Sequence, residues 1–296
     1  MRLVTYRHDG RIHTGAVVGD ERIVPLDGIA DAAELTPLLA DPVALARAAD
    51  RVAAAESGGP LGVADVELLA PVRPGKILCL GYNYRGHVPD GTDPTANDPD
   101  FPDVFVKTPN TLAGPAEAVQ IAHAALDVDY EGELALVIGR RARDVSVEDA
   151  LDHVAGYTIL NDVSDRAWQR RQSQWALGKC FDGFAPLGPW IVTRDEIDDP
   201  QDLLVEVVRE GVVTVSQSTS TTIFPAAFVV HYLSTVMTLE PGDVISTGTP
   251  QKLAEAQSDH RPLAPGDAVT VRISGIGELT TTFIAPTLVT PTEAPA

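Results

Sequence analysis

The chain has few cysteines, few aromatic residues and far fewer basic than acidic residues. Two of its 296 residues are cysteine, which excludes a disulfide-rich scaffold. We expect Cys79 and Cys180 to be free, buried thiols in a reducing cytoplasm, although one disulfide between them stays an alternative. The 22 Lys and Arg residues against 42 Asp and Glu residues give a net charge of −20. That charge disfavours general binding of nucleic acids and anionic membrane surfaces.

Long hydrophobic runs are also missing. No stretch approaches the 18 consecutive apolar residues typical of a membrane span, and the N-terminal segment becomes polar too early for a signal peptide. A composition of 44% hydrophobic and 22% charged residues is that of an ordinary globular protein. We therefore expect a soluble, cytoplasmic protein with no membrane partner.

Turn signals and apolar spacing divide the chain into unequal parts. Residues 1 to about 28 alternate short apolar runs with turns, which predicts a small antiparallel sheet, and residues 30–56 show helical spacing broken at Pro42. Two Pro- and Gly-containing segments follow, and we place a boundary near residue 73. The predicted organisation is a small N-terminal domain (1–73), a larger domain (74–286) and a disordered tail (287–296).

The larger part is rich in strands without regular strand–helix alternation. This favours an α+β fold that is mainly β over a doubly wound sheet. The predicted strands are 76–80, 104–107, 130–139, 203–209, 212–216, 243–246 and 268–273, and the predicted helices are 147–154, 166–172 and 226–237.

One acidic segment stands out chemically. If residues 127–138 form one strand, Asp127, Asp129, Glu131 and Glu133 point to the same face. Adjacent carboxylates repel one another, and a divalent cation between them reverses the sign of that interaction. All-oxygen ligands favour Mg²⁺, Mn²⁺ or Ca²⁺ over zinc. The alternative is a solvated acidic face of an edge strand.

A second acidic cluster begins at Asp162, between a predicted strand and a predicted helix. A carboxylate at this position can project into a cleft. It can equally serve as a helix N-cap, a role that Ser164 or Asp165 would fill as well.

Six segments in this order resemble the fumarylacetoacetate hydrolase family, and the resemblance covers about residues 75–285. The segments are 81–87, 103–109, 130–134, 156–164, 178–190 and 239–250. The resemblance implies a mixed β-roll catalytic domain with a small N-terminal α+β domain, and a homodimer. It also implies a metal site, most often for Mg²⁺ or Mn²⁺, formed by Glu131, Glu133 and Asp162.

The resemblance further implies catalytic roles. His87 matches the histidine of a His–Glu dyad that activates water, but Asp90 stands where the family has a glutamate, and Gly91 disfavours a long lid helix. Lys179 is expected beside the metal, oriented by Asp182. The implied substrate-binding residues are Tyr82, Arg85, Asp182, Thr247, Gly248 and Thr249. Gln172 is a further candidate, because it lies in a polar, positively biased segment (169–175) that suits an anionic substrate; the alternative is a solvated helix face. After Pro250 the small, Gly-containing continuation of the family is absent, and Gln251, Lys252 and Leu253 stand there.

These residues predict a divalent-metal-dependent hydrolase that cleaves a C–C bond of a small anionic 2,4-dioxo acid through a metal-stabilised enolate. Decarboxylation of an oxaloacetate-type acid, or isomerisation of a dioxo acid, would use the same site without water attack. A non-catalytic binding protein is the third alternative, disfavoured because clustered buried charge contributes little to a scaffold.

Overall fold

The computed structural model describes residues 1–19, 21–29, 34–55, 59, 61–86 and 98–286. His87 and Asp90 lie outside the described residues, as does the tail 287–296 for which we predict disorder.

The N-terminal part contains the expected antiparallel sheet and a helical segment. Its elements are β1 (Arg2–His8), β2 (Arg11–Val18), β3 (Arg22–Pro25), α1 (Thr36–Ala40), α2 (Pro42–Ala53), β4 (Leu61–Gly62) and β5 (Glu67–Leu69). Pro42 opens α2, where a missing N–H costs nothing, and Asp41 caps this helix by accepting a hydrogen bond from the Val43 N–H at 2.9 Å.

The larger part is mainly β. Its strands are β6 (Ile77–Gly81), β7 (Asp103–Lys107), β8 (Leu112–Ala113), β9 (Val119–Gln120), β10 (Val128–Asp129), β11 (Gly132–Ile138), β12 (Val154–Asn161), β13 (Ser164–Asp165), β14 (Ala185–Thr193), β15 (Leu204–Arg209), β16 (Val212–Ser218), β17 (Val244–Ser246), β18 (Ala268–Ile273) and β19 (Gly277–Ile284). Its α-helices are α3 (Arg166–Gln169), α4 (Ala176–Lys179), α5 (Ala226–Val236) and α6 (Ala254–Ser258).

Two large sheets form the body of the protein. The first runs in the order β4-β3-β2-β1-β14-β12-β11-β17-β6-β7, with β5 on β1 and β8 on β14. The second runs β16-β15-β18-β19-β9. Because β1 pairs with β14 in antiparallel register, the N-terminal strands continue the sheet of the larger part, and residue 73 does not separate two sheets.

The two sheets pack closely at Gly132, the residue between Glu131 and Glu133. A Cβ at this position would lie 2.6 Å from Cγ2 of Val207 and 2.8 Å from Cγ1 of Val271, both in the second sheet. Side chains alternate along a strand, so the two glutamates face away from this packed side. The small residue therefore lets the sheets meet while its acidic neighbours face the site.

Two local predictions need correction. The predicted helix over 147–154 is reduced to one 3₁₀ turn, Ala150–His153. The predicted continuous acidic strand is interrupted, because β10 pairs with β13 in a separate two-stranded sheet and β11 begins only at Gly132. Asp127 therefore pairs with Arg170 and His260, whereas Asp129 shares Arg166 with Glu131.

Candidate active site

Three carboxylates converge at the start of β11 and the end of β12. Ligand oxygens of Glu131, Glu133 and Asp162 all lie within 4.8 Å of one another. Glu133 and Asp162 are buried, and the side chain of Glu131 is 11% exposed. Backbone pairing sets this geometry, since β11 and β12 are antiparallel neighbours and the Asp162 N–H donates to the Glu131 carbonyl at 2.8 Å.

The turn after β17 holds Glu133. Its Oε2 accepts hydrogen bonds from the Ser246 hydroxyl at 2.5 Å and from the Gly248 N–H at 2.9 Å. Gly248 has φ +91°, and a Cβ there would lie 3.1 Å from both the Asn83 Cβ and the Leu80 carbonyl oxygen, so glycine suits this turn. Burial, together with the negative charges of Asp162 and Glu131, raises the pKa of Glu133 well above its ordinary value.

Asp162 forms two ion pairs and does not cap a helix. Its Oδ1 lies 2.6 Å from Lys107 Nζ and its Oδ2 lies 2.7 Å from Lys179 Nζ, with all three side chains at most 2% exposed. Asp165 caps α3 instead, accepting a hydrogen bond from the Trp168 N–H at 2.8 Å. The N-cap alternative for Asp162 is therefore resolved in favour of a carboxylate facing the site.

Arg166 and Lys252 extend the ion pairs. Arg166 Nη2 lies 2.6 Å from Glu131 Oε1 and 3.0 Å from Asp129 Oδ2. Lys252 Nζ lies 2.5 Å from Asp129 Oδ1 and 4.2 Å from the centroid of the Tyr130 ring. Lys179 belongs to the same series of ion pairs, because its Nζ lies 2.5 Å from Glu131 Oε2.

The connected ion pairs contain three carboxylates (Asp129, Glu131, Asp162) and four cations (Lys107, Arg166, Lys179, Lys252). Burial alone would raise the pKa of Glu131, but the charges of Arg166 and Lys179 lower it well below its ordinary value. Asp129 behaves in the same way: Arg166 and Lys252 outweigh burial and lower its pKa. Both groups are therefore held ionised.

The donor set fits a hard divalent cation. It offers carboxylate oxygens from three residues in two segments, and Mg²⁺ and Mn²⁺ favour such ligands. Among the described residues, Glu133 makes no ion pair with Lys or Arg, and the nearby charge of Lys179 does not offset its burial and its acidic neighbours. A metal ion on this triad would supply the missing positive charge.

A cavity of about 270 Å³ opens at Glu131 and Glu133, two residues of the triad. Tyr82, Phe105 and Trp175 form one wall, and the Trp175 ring contacts the other two edge-on, with centroids 5.7 and 5.6 Å apart. The cavity is also lined by Glu131, Glu133, Arg166, Gln169, Arg170, Lys179 and Thr249. Its size suits a small organic acid.

The other residues predicted to bind substrate differ in their position and in their partners. The Thr247 hydroxyl donates to the Leu134 carbonyl at 2.9 Å, and the Thr249 hydroxyl donates to the Gly132 carbonyl at 3.1 Å, so both fix the turn that holds Glu133. Arg85 instead pairs with Asp98 at 2.9 Å. Gln172 is exposed, whereas Gln169 and Arg170 from the same segment line the cavity.

Asp182 does not take the expected partner. Its Oδ1 accepts a hydrogen bond from Asn110 Nδ2 at 2.6 Å, while Lys179 contacts Glu131 and Asp162. Lys179 is thus oriented by two carboxylates of the triad, because their buried charges attract the ammonium more strongly than an exposed residue can. Cys79 and Cys180 are free, as expected, although Cys180 is only half-buried.

The sequence reasoning missed three contributors, which are Lys107, Arg166 and Lys252. Trp175 belongs to segment 169–175, which the sequence already connects with an anionic substrate. Lys107 is the last residue of the edge strand β7, and Arg166 is the first residue of α3. Neither position predicts a buried ion pair. Lys252 was visible only as a departure from the family pattern after Pro250. The acidic partners of Lys107, Arg166 and Lys252 are 35 to 123 positions away along the chain, so only the folded chain brings them together.

Two family models match this chain. The model of the fumarylacetoacetate (FAA) hydrolase C-terminal domain matches residues 76–284, and the model of the Rv2993c-like N-terminal domain matches residues 1–71. The chain is 42% identical over 219 residues to protein Rv2993c of Mycobacterium tuberculosis, covering 74% of this chain and 78% of that protein. It is 38% identical over 222 residues to a Xenopus laevis protein named mitochondrial oxaloacetate tautomerase fahd2. The match covers 74% of this chain and 69% of that protein.

Solved structures show the same fold. The fumarylacetoacetate hydrolase of Exiguobacterium antarcticum superposes with a TM-score of 0.82 at 33% identity, covering 97% of this chain and 100% of that one. A maleylpyruvate hydrolase of Sphingobium sp. SYK-6, in complex with manganese(II) and pyruvate, gives a TM-score of 0.79 at 30% identity with the same coverage. This chain belongs to the fumarylacetoacetate hydrolase family. It is an enzyme of that family with a buried acidic triad able to bind a divalent metal.

In the described residues, no helix has the length and apolar character needed to cross a membrane.

Proposed function

We propose that this enzyme hydrolyses a C–C bond of a small 2,4-dioxo acid, with Mg²⁺ or a similar ion (Mn²⁺, Ca²⁺) held by Glu131, Glu133 and Asp162. The observation that supports it best is the convergence of these carboxylates with Lys179 under one cavity of about 270 Å³. A bound dication would supply Lewis-acid stabilisation of negative charge on the carboxylate and keto oxygens of the acid.

The side chains of the protein have separate tasks in this proposal. The Lys179 ammonium, held by two carboxylates, stabilises the negative charge that develops on the substrate oxygen. The turn that contains Gly248 and Thr249 holds Glu133 in place, and Thr249 lines the cavity in which the substrate carboxylate would lie. Tyr82, Phe105 and Trp175 cover the chain of the acid and exclude bulk water.

His87, assisted by Asp90, would take a proton from water, whose oxygen adds to the carbonyl carbon at position 4. The bond between carbons 3 and 4 then breaks, its electron pair passes to carbon 3, and a proton joins that carbon. The products are a carboxylic acid and pyruvate, so the atoms of one water are accounted for.

The test is turnover of a panel of 2,4-dioxo acids with Mg²⁺, measured by release of pyruvate. We expect activity that is abolished by EDTA and by Glu131→Ala, because the first removes the metal and the second removes one ligand. Absence of pyruvate from every acid of the panel, with metal bound, would contradict the hydrolase proposal.

Enol–keto isomerisation or decarboxylation of an oxaloacetate-type acid is the second candidate. Two observations favour it: the relative named oxaloacetate tautomerase, and Asp90 with Gly91 in place of the usual lid residues. Replacing His87 by alanine separates the two. We expect hydrolysis to fall by at least about 10²-fold, because a general base contributes that much, while decarboxylation changes little. Equal losses in both reactions would count against water activation by His87.

We also propose a homodimer and a cytoplasmic location, as the family resemblance implies. Val104 and Val106 lie exposed on the edge strand β7, and they offer apolar surface to a second copy. Sedimentation equilibrium tests the first proposal and cell fractionation the second.

A further inference from the structure

Lys107 is a fully buried lysine beside the acidic triad, and its ammonium group makes three contacts. Its Nζ donates to Asp162 Oδ1 at 2.6 Å, to the Lys179 carbonyl at 2.6 Å and to the Val163 carbonyl at 3.1 Å. An ammonium has three N–H donors, so these acceptors satisfy it completely. Because a buried ammonium without partners is costly, Lys107 is fixed against one oxygen of Asp162.

The other two carboxylates of the triad are restrained in the same way. Glu133 Oε2 accepts hydrogen bonds from the Ser246 hydroxyl at 2.5 Å and from the Gly248 N–H at 2.9 Å. Glu131 Oε1 lies 2.6 Å from Arg166 Nη2. One oxygen of each triad carboxylate is therefore held by another group of the protein.

The second oxygens of Glu131 and Asp162 face a common point. Lys179 Nζ lies 2.5 Å from Glu131 Oε2 and 2.7 Å from Asp162 Oδ2, so one cation already reaches both. A metal ion that takes these oxygens meets Asp162 through Oδ2 alone, since Lys107 holds Oδ1. The triad thus offers single oxygens and not both oxygens of one carboxylate.

Single oxygens suit some hard cations better than others. Mg²⁺ is small and octahedral, and it keeps several waters while binding few carboxylates. Ca²⁺ takes about six to eight oxygens and often binds both oxygens of one carboxylate. A residue that occupies one oxygen of a ligand therefore acts against Ca²⁺ more than against Mg²⁺.

We propose that Lys107 determines the metal preference of the triad: by holding Asp162 Oδ1 it limits Asp162 to one ligand oxygen and favours Mg²⁺ over Ca²⁺. Lys107 is a positioning residue, since it acts through Asp162 and does not line the cavity at the candidate active site. The inference rests on the metal site of the proposed function and narrows the choice of ion.

The experiment measures the dissociation constants of Mg²⁺ and Ca²⁺ by calorimetry, without substrate, for the wild type and Lys107→Met. Loss of the lysine charge favours both dications, so the ratio of the two constants reports the geometry of Asp162. We expect the variant to shift this ratio toward Ca²⁺ by about 10-fold, the lower end of the effect of groups that hold a metal ligand. The wild type should bind Mg²⁺ at least as tightly as Ca²⁺.

Lys76→Met is the matched control. Lys76 also pairs with a buried carboxylate, that of Asp243 at 2.5 Å, and this partner is not a residue of the triad. The control variant should keep the wild-type ratio. Circular dichroism of both variants checks that they fold.

An equal change for the two ions in Lys107→Met would overturn the proposal, because the charge of Lys107 alone would then explain its effect. If that variant does not fold, the wild-type ratio decides, and tighter binding of Ca²⁺ than of Mg²⁺ contradicts the proposal. Turnover judges the proposed function separately: a protein that shows the expected ratios but cleaves no dioxo acid refutes the hydrolase and supports this inference. A wild type that binds neither ion would contradict both.

Discussion

Replacing Lys179 by methionine should lower kcat by about 10²- to 10³-fold, the usual loss when one donor to a developing oxyanion is removed. Metal affinity should stay the same or increase. The reason is that Lys179 Nζ lies 2.5 Å from Glu131 and 2.7 Å from Asp162, where it competes with a dication for the same oxygens. The measurements are steady-state kinetics at saturating Mg²⁺ and calorimetric titration of the metal.

Folding is controlled in the same experiment. Glu131 and Asp162 keep Arg166 and Lys107 as partners after this change, so the variant should retain its secondary structure. Lys76→Met is the matched control, because it removes the lysine partner of the buried Asp243 carboxylate, and Lys76 does not line the cavity at the candidate active site. A variant that binds metal normally and keeps its full kcat would show that Lys179 has no role in the chemical step.

Glu133→Gln should weaken metal binding by at least about 10²-fold, since even outer groups around a metal contribute 10- to 100-fold. The amide oxygen can still accept the hydrogen bonds from Ser246 and Gly248, so charge is lost while shape is kept. Activity at low Mg²⁺ should be lost, with partial recovery at high concentrations. Inductively coupled plasma analysis and titration measure the bound metal.

We also expect Glu133→Gln to change the thermal stability of the protein. Burial raises the pKa of Glu133, so a folded-state charge at neutral pH is disfavoured when no cation is bound, and this cost grows as pH rises. In EDTA the neutral glutamine should therefore melt at the same or a higher temperature than the wild type, and with Mg²⁺ at a lower one.

Glu117→Gln is the control for the loss of a carboxylate charge. Glu117 also accepts a hydrogen bond from a backbone N–H, that of Gly114 at 2.7 Å, but it does not line the cavity at the candidate active site. If Glu133→Gln bound metal as tightly as this control, the acidic triad would not be the metal site.

Several features could be predicted because they depend on neighbours in the chain. The turn-separated strands of the N-terminal part, the start of α2 at Pro42 and the strand Ala268–Ile273 follow from apolar periodicity and turn chemistry. The pair Glu131 and Glu133 is likewise local, since two residues of spacing put both side chains on one face. Ordered motifs along the chain pointed to the family, and the matched domain model agrees.

Other features required partners that are distant in sequence. The break between β10 and β11 arises because Val128 and Asp129 pair with Ser164 and Asp165, so the acidic run is divided between two sheets. No local pattern states that Asp129 will meet Lys252 across 123 positions. Whether a given acidic residue binds metal, caps a helix or forms an ion pair depends on which cations the packed sheets bring within about 4 Å, because Coulomb energies at that distance exceed local preferences. Residue types and their order thus specify the chemistry that is available, and packing of the sheets assigns each charge its partner.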